Sequence, residues 1–186
     1  MRGFLLSLAL GLLLPGAALA EDPPAKPSDE DAKTRAEAGK TALKGKDDEA
    51  KKTAIAAAGE CPHAATAAAL GQAFSDPSEE VRAAAAPALG KMKGLAEAAK
   101  TLNAAFGASL KSPKVLFAVM KAMAAVNHAS SVQVLKTYVA KRVPEGDDSE
   151  NTEIIAAVET LGDMKSKASM DALCEIAQKQ AAVGMS

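Results

Sequence analysis

Along residues 47–183, apolar and polar positions recur with the period of helices. In four places a run of alanine and branched aliphatic residues ends on glycine or asparagine: at Gly59, Gly90, Asn127 and Gly162, separated by 31, 37 and 35 residues. Each is a residue type able to take the positive φ that closes a helix C-terminus. A second run follows each stop and carries an apolar pair at i, i+4: Leu70/Phe74, Leu102/Phe106, Leu135/Val139 and Leu173/Ala177, so each pair lies on one helix face. Asp76-Pro77-Ser78 stands ahead of Val81 and Ser112-Pro113 ahead of Val115, with Asn151 or Thr152 doing the same ahead of Ile154-Ile155. Such capping and proline residues mark helix starts. Pro144 and Gly146 interrupt the pattern between the third and fourth units, which makes Val143 to Glu150 the longest internal loop. A period near 31–37 residues with paired helices predicts a solenoid, because one hairpin cannot bury its own apolar face. The expected fold is all-α, a short right-handed α-solenoid of about four helical hairpins.

The chain ahead of this array has a different character. Residues 21–28, Glu-Asp-Pro-Pro-Ala-Lys-Pro-Ser, combine three prolines with charge and show no apolar period, the composition of a disordered leader. Ser28 can cap a helix with the acidic first turn Asp29, Glu30 and Asp31, running to about Lys44. Leu43 is its only large apolar residue, so it is expected to be a marginal capping helix inside a leader that spans 21–46. Residues 1–20 have the form of a signal peptide: Arg2, an apolar stretch from Phe4 to Leu14, and the small-x-small ending Ala18-Leu19-Ala20. That apolar stretch is about half the roughly 20 residues that cross a bilayer. Position 21 is Glu21 rather than the cysteine a lipoprotein needs. The expectation is an exported protein, periplasmic or secreted, with no membrane anchor after cleavage.

The second unit is the most specific: Asp76-Pro77, Val81-Arg82, then alanines to Ala88-Leu89-Gly90, and the fourth repeats part of it from Ala156 to Lys165. These residues resemble the HEAT-like repeats of the bilin-lyase type. The resemblance implies an aspartate at the turn between repeats, a core valine, a glycine at the turn within each repeat, and a binding scaffold rather than an enzyme. It covers residues 76–108 best. Only Arg82 holds the basic position after the core valine, and Pro87 kinks its helix. The chain shows repeat residues and no chromophore site.

The 22 basic residues less Arg2 leave 21 against 23 acidic ones, which argues against a nucleic-acid partner, since that needs a strongly basic face. With one Tyr, no Trp and abundant alanine, helices can approach closely while each buried side chain contributes little transfer energy. The cysteines are Cys61 and Cys174. In a stacked array they fall in the first and last hairpins, some 25–30 Å apart at roughly 8–10 Å per helix layer, whereas a disulfide needs Cα atoms within about 7 Å. Both are expected to be unpaired, Cys174 as a small core residue and Cys61 partly exposed in a turn. A monomer is the expected state, with a Cys61–Cys61 dimer left open.

Catalytic or metal chemistry finds little support. Cys61-Pro62-His63 lacks the third and fourth ligands of a metal site and the spacing of a haem attachment, and Pro62 and His63 are better taken as a helix start. His128 follows Asn127 at a turn. There is no G-x-S-x-G, phosphate loop or dinucleotide fingerprint, and the methionines Met92, Met120, Met123, Met164 and Met170 fit core gap-filling better than copper binding. No cofactor and no enzymatic activity are expected. The first functional expectation is an extracytoplasmic protein–protein interaction scaffold whose second helices line a shallow face, with Gln72, Lys100, Asn103, Lys136 and Tyr138 as candidate partner contacts. The alternative is a closed helical bundle that binds a small apolar ligand or a metal between its helices. Cleavage is expected after Ala20: intact-mass measurement on protein from an exporting host should find a chain that starts at Glu21, and a retained Met1 would remove the export assignment.

Overall fold

The computed structural model describes residues 27–142 and 152–184, which form nine helices and no strand. They are α1 (Asp29–Leu43), α2 (Asp48–Gly59), α3 (Ala64–Ala73), α4 (Glu79–Gly90), α5 (Ala96–Ala108), α6 (Pro113–Val126), α7 (Ala129–Arg142), α8 (Thr152–Asp163) and α9 (Lys167–Gly184). The pairs α2/α3, α4/α5, α6/α7 and α8/α9 are the four expected hairpins. Helices α2, α4, α6 and α8 stack on one another as one layer, and α1, α3, α5, α7 and α9 stack as the other. Among the described residues no extended packing joins the first hairpin to the last, so the array is open and not a closed bundle. The loop expected at 143–150, the signal segment and the proline-rich residues up to 26 lie outside the described residues, as does the capping candidate Asn151.

Small residues allow the layers to close. Val81, Ala85, Leu89, Ala98, Leu102, Val115, Met123, Leu135 and Leu161 are fully buried in one continuous core. The helix α1 is more firmly placed than a marginal cap: Ser28 accepts from the Asp31 amide at 3.2 Å, and Ala32, Ala36 and Gly39 are buried where α1 meets α2 and α3. It supplies the missing second-layer partner for the first full hairpin. Ala32 and Ala36 at that interface compensate for its lack of large apolar residues, because small side chains let helices pack closely.

Of the four expected stops, only Asn127 takes the left-handed conformation, at φ 53°, with its amide donating to the Met123 carbonyl at 3.0 Å. Gly59 and Gly90 are instead the last residues of their helices. A Cβ on Gly59 would lie 2.9 Å from the Ala88 Cβ, so this glycine serves the close approach of α2 to α4 rather than a turn. The positive φ after α4 belongs to Gly94, at 68°, whose amide donates to the Val126 carbonyl at 2.8 Å. After α8 it belongs to Lys165, at 48°, and not to Gly162. In each case the helix or its capping turn runs one to four residues past the position expected from the alanine run.

The second-helix pairs hold in three units: Leu70, Leu102, Phe106, Leu135 and Val139 are buried and Phe74 packs at the edge of the core. In α9 the inward pair is Ala172/Ile176, while Leu173 is half-buried and Ala177 exposed. Ser166 and Ser169 exchange reciprocal hydrogen bonds, each amide donating to the other's hydroxyl at 3.1 Å. This start sets α9 about 100° away from the expected rotation.

The cysteines are both free but reversed in exposure: Cys61 is buried and Cys174 exposed. The Cys61 carbonyl accepts from Thr66 Oγ1 at 2.5 Å, which draws this turn inward and removes Cys61 as a linking thiol for a dimer. Cys174 lies two positions from the inward Ala172 and faces outward because of the rotation of α9. Met92, Met120, Met123 and Met164 fill the core as expected, whereas Met170 is exposed.

One ion pair is buried between repeats. Lys51 on α2 donates to Asp76 Oδ2 at 2.8 Å, with 7% and 5% of the two side chains exposed. Asp76 Oδ1 also accepts the Ser78 amide at 2.9 Å at the start of α4, and Arg82 donates to the Asp76 carbonyl at 2.8 Å. Burial raises the Asp76 carboxyl, but Lys51, the Ser78 amide and Arg82 outweigh it and hold the group below its ordinary value of 3.8. The bond to Asp76 raises Lys51 above its ordinary 10.5, against the opposing effect of burial. A lowered carboxylate contributes stability that is complete above 3.8 and lost as pH falls through its folded value; the raised lysine contributes below 10.5 and loses it as pH rises. Asp76→Ala should therefore lower the thermal midpoint more than Glu80→Gln, which breaks an exposed pair with Lys114. The difference between wild type and Asp76→Ala should stay flat across neutral pH and shrink below pH 3.8; a difference that survives full acidification would locate the effect in backbone capping alone.

Candidate functional site

The second-layer face was the expected contact surface, and its five candidate residues divide into two groups. Gln72 on α3 is exposed. Lys100 on α5 is exposed, with its ammonium 3.3 Å from Glu97 Oε1, and it borders an open groove of about 330 Å³ between α3 and α5. Gly71 and Thr101 bring those helices together there, since a Cβ on Gly71 would lie 3.0 Å from the Thr101 methyl.

Asn103, Lys136 and Tyr138 instead tie helices of the array to one another. Asn103 Nδ2 donates to Ser130 Oγ at 3.0 Å, and its Oδ1 accepts from Ser131 Oγ at 2.9 Å, so one amide joins α5 to the first turn of α7. Lys136 on α7 pairs with Glu175 on α9. The Tyr138 ring meets Phe106 edge-on, with centroids 5.1 Å apart and planes at 89°. The Arg142 guanidinium sits 5.6 Å from its centroid, within range of a cation–π contact. Burial pushes the Tyr138 phenol above its ordinary value, with Arg142 opposing. Half-exposed polar residues on a stacked face are indistinguishable in sequence from ligand contacts, because the partner helix lies more than 25 residues away.

The first-layer face carries a second groove, between α4 and α6, of about 510 Å³. Ala83, Pro87 and Gly90 form one wall, and Ala118, Ala122 and Ala125 the other. Pro87 points outward inside α4 and has no amide to donate to the Ala83 carbonyl. Small side chains then leave a trough rather than an interlocked surface. Lys91, Lys93 and Lys121 line its margins, and Lys91 also pairs with Glu60 on the turn after α2. The sequence signal was present in the outward Pro87 and in the i, i+4, i+7 spacing of Ala118, Ala122 and Ala125, but an alanine stripe is ordinarily a core face.

Both histidines are helix caps. His63 Nδ1 accepts the Ala65 amide at 3.1 Å at the start of α3, and His128 Nδ1 accepts the Ser130 amide at 3.2 Å at the start of α7. The His63 Nε2 lies 3.1 Å from Asp29 Oδ1 and so links the start of α1 to that of α3. Among the described residues no three His, Cys, Asp or Glu side chains converge to hold a metal. The exposed carboxylates Glu60 and Glu80 are each held below their ordinary value by a lysine of the next repeat, Lys91 and Lys114 respectively. These pairs join successive hairpins.

Residues 36–110 match the family model for HEAT repeats, a span that runs from α1 to just past α5. None of the curated proteins matches the chain. The internal role of Asn103 leads to a direct expectation: Asn103→Ala should destabilise the array by about 1–3 kcal/mol, the cost of orphaning the Ser130 and Ser131 hydroxyls. Gln72→Ala should change it by less than about 0.5 kcal/mol. Thermal and denaturant unfolding of the two variants measures the contrast, and equal losses would remove Asn103 from the tie between α5 and α7.

Proposed function

We propose that this HEAT-like repeat protein works as a non-catalytic scaffold for protein–protein interaction outside the cytoplasm. The observation that supports the reading is the repeat itself: each face is made of the same helix of successive hairpins, so the chain presents long surfaces that carry open grooves. The sequence of residues 1–20 supports export. The pattern is that of a secretory signal, and the helices of the folded part are not among those long and apolar enough to cross a membrane.

The partner is a protein rather than a nucleic acid, because the mature chain is nearly neutral and several of its lysines, Lys91, Lys114 and Lys136 among them, pair with acids of the neighbouring repeat. Ion pairs of this exposed kind contribute little stability each. Their use is to fix register while leaving other polar positions free for contact. The test is in-cell crosslinking followed by purification of the tagged mature chain from the extracytoplasmic fraction. A reproducible macromolecular partner, lost when the array is unfolded by Val81→Asp, is the expected result. Recovery of the chain only from the cytoplasm, or capture of no macromolecule from the exported fraction, would overturn the reading.

A further inference from the structure

From Ala98 to Pro144 the sequence contains seven basic residues and no acidic one, in a chain whose overall net charge is −1. This stretch builds α5, α6 and α7. Some of its charge is matched by neighbours: Lys114 by Glu80, Lys136 by Glu175 and Lys100 by Glu97. Among the described residues Lys121 forms no ion pair, nor does Lys93 in the turn before α5, and these two flank the trough between α4 and α6. Phe117, exposed by 38% of its surface, stands one turn before Lys121 on α6. The margin is thus cationic and the floor is apolar.

We propose that this groove binds an acidic polypeptide segment that seats apolar side chains against Pro87, Ala118 and Ala122 and sets its carboxylates opposite Lys93 and Lys121. The proposal rests on the scaffold reading and names its surface and partner chemistry. A concave trough of about 510 Å³ suits inserted side chains, whereas a membrane surface would need a flat or protruding apolar face. An acidic helix or extended strand with apolar residues on one side satisfies shape and charge together. Rim charges of this kind govern association rate and salt dependence, while the apolar floor governs residence.

The test uses the mature full chain, immobilised and panned against a random peptide display library. Enriched peptides should combine apolar residues with Asp or Glu, and a synthetic, fluorescently labelled consensus peptide should bind in solution with an affinity that falls as salt rises. Lys93→Glu/Lys121→Glu should weaken that peptide by about tenfold or more, and Ala125→Gln, which fills the trough without adding charge, should weaken it comparably. Lys100→Glu on the opposite layer should leave it unchanged. Circular dichroism and thermal midpoints of the three variants should match wild type, since all of these positions except the half-matched Lys100 are exposed without ion pairs. Enrichment of basic or uncharged peptides, no enrichment, or affinity indifferent to both groove variants would overturn the proposal. Sedimentation of the chain with phosphatidylserine vesicles, lost in the lysine-reversal variant while no peptide is enriched, would overturn it in favour of a membrane surface. If the crosslinked partner of the exported protein persists in both groove variants and is lost in Lys100→Glu, the scaffold reading stands and this surface falls.

Discussion

The close approach of helices whose facing residues are glycine and alanine is the constraint on which this array depends. An alanine methyl removes little apolar area from water, and burial of a methylene group is worth about 0.8 kcal/mol, so a mostly alanine interface stabilises only when backbones come near enough for many contacts to form together. Gly59 against Ala88 is the tightest case, with no room for a Cβ. Larger side chains such as Val81, Leu89, Leu102 and Leu116 fill the continuous core that runs through the array. The same thinness explains why α1, with almost no large apolar residue, still docks: it needs only to present Ala32 and Ala36 as a thin buried face.

Tight but weakly discriminating apolar contacts leave register to polar groups. Lys51 and Asp76 reach across from α2 to the turn before α4 as a buried charge pair, which disfavours slippage because either member without the other is costly. Asn103 does the neutral equivalent between α5 and α7, and the two histidines add caps at the starts of α3 and α7. Exposed pairs such as Glu60 with Lys91 and Glu80 with Lys114 follow the same one-repeat offset. Alanine supplies proximity and these groups supply alignment.

The number of hairpins and their order were legible because helix stops recur at a spacing near one repeat, and the HEAT-like resemblance rested on Asp76-Pro77, Val81 and the alanines to Gly90, inside the segment that matches HEAT repeats. What escaped was what depends on a neighbour distant in sequence. A glycine that ends an alanine run is equally good as a turn or as a point of close approach, and only Ala88, 29 residues on, decides that Gly59 is the latter. Cys61 and Cys174 were assigned opposite exposures because Thr66 pulls the first inward and the Ser166–Ser169 start rotates the second outward. Three of five candidate contact residues were polar positions that another helix of the same chain uses, while the groove beside Pro87 was concealed as a row of alanines.

That division between the layers bears on where a partner can bind. In the second layer, polar side chains are occupied in holding α5, α7 and α9 together, so a ligand there competes with the bonds that align the array. In the first layer, alignment is achieved at the rim, and the stripe between α4 and α6 is left with small apolar side chains and an outward proline that no neighbour covers. A surface free of structural duty can be altered without loss of fold. The first-layer helices, whose alanines serve packing on one side and leave a trough on the other, are therefore the part of this solenoid where the proposed contact surface is most nearly independent of stability.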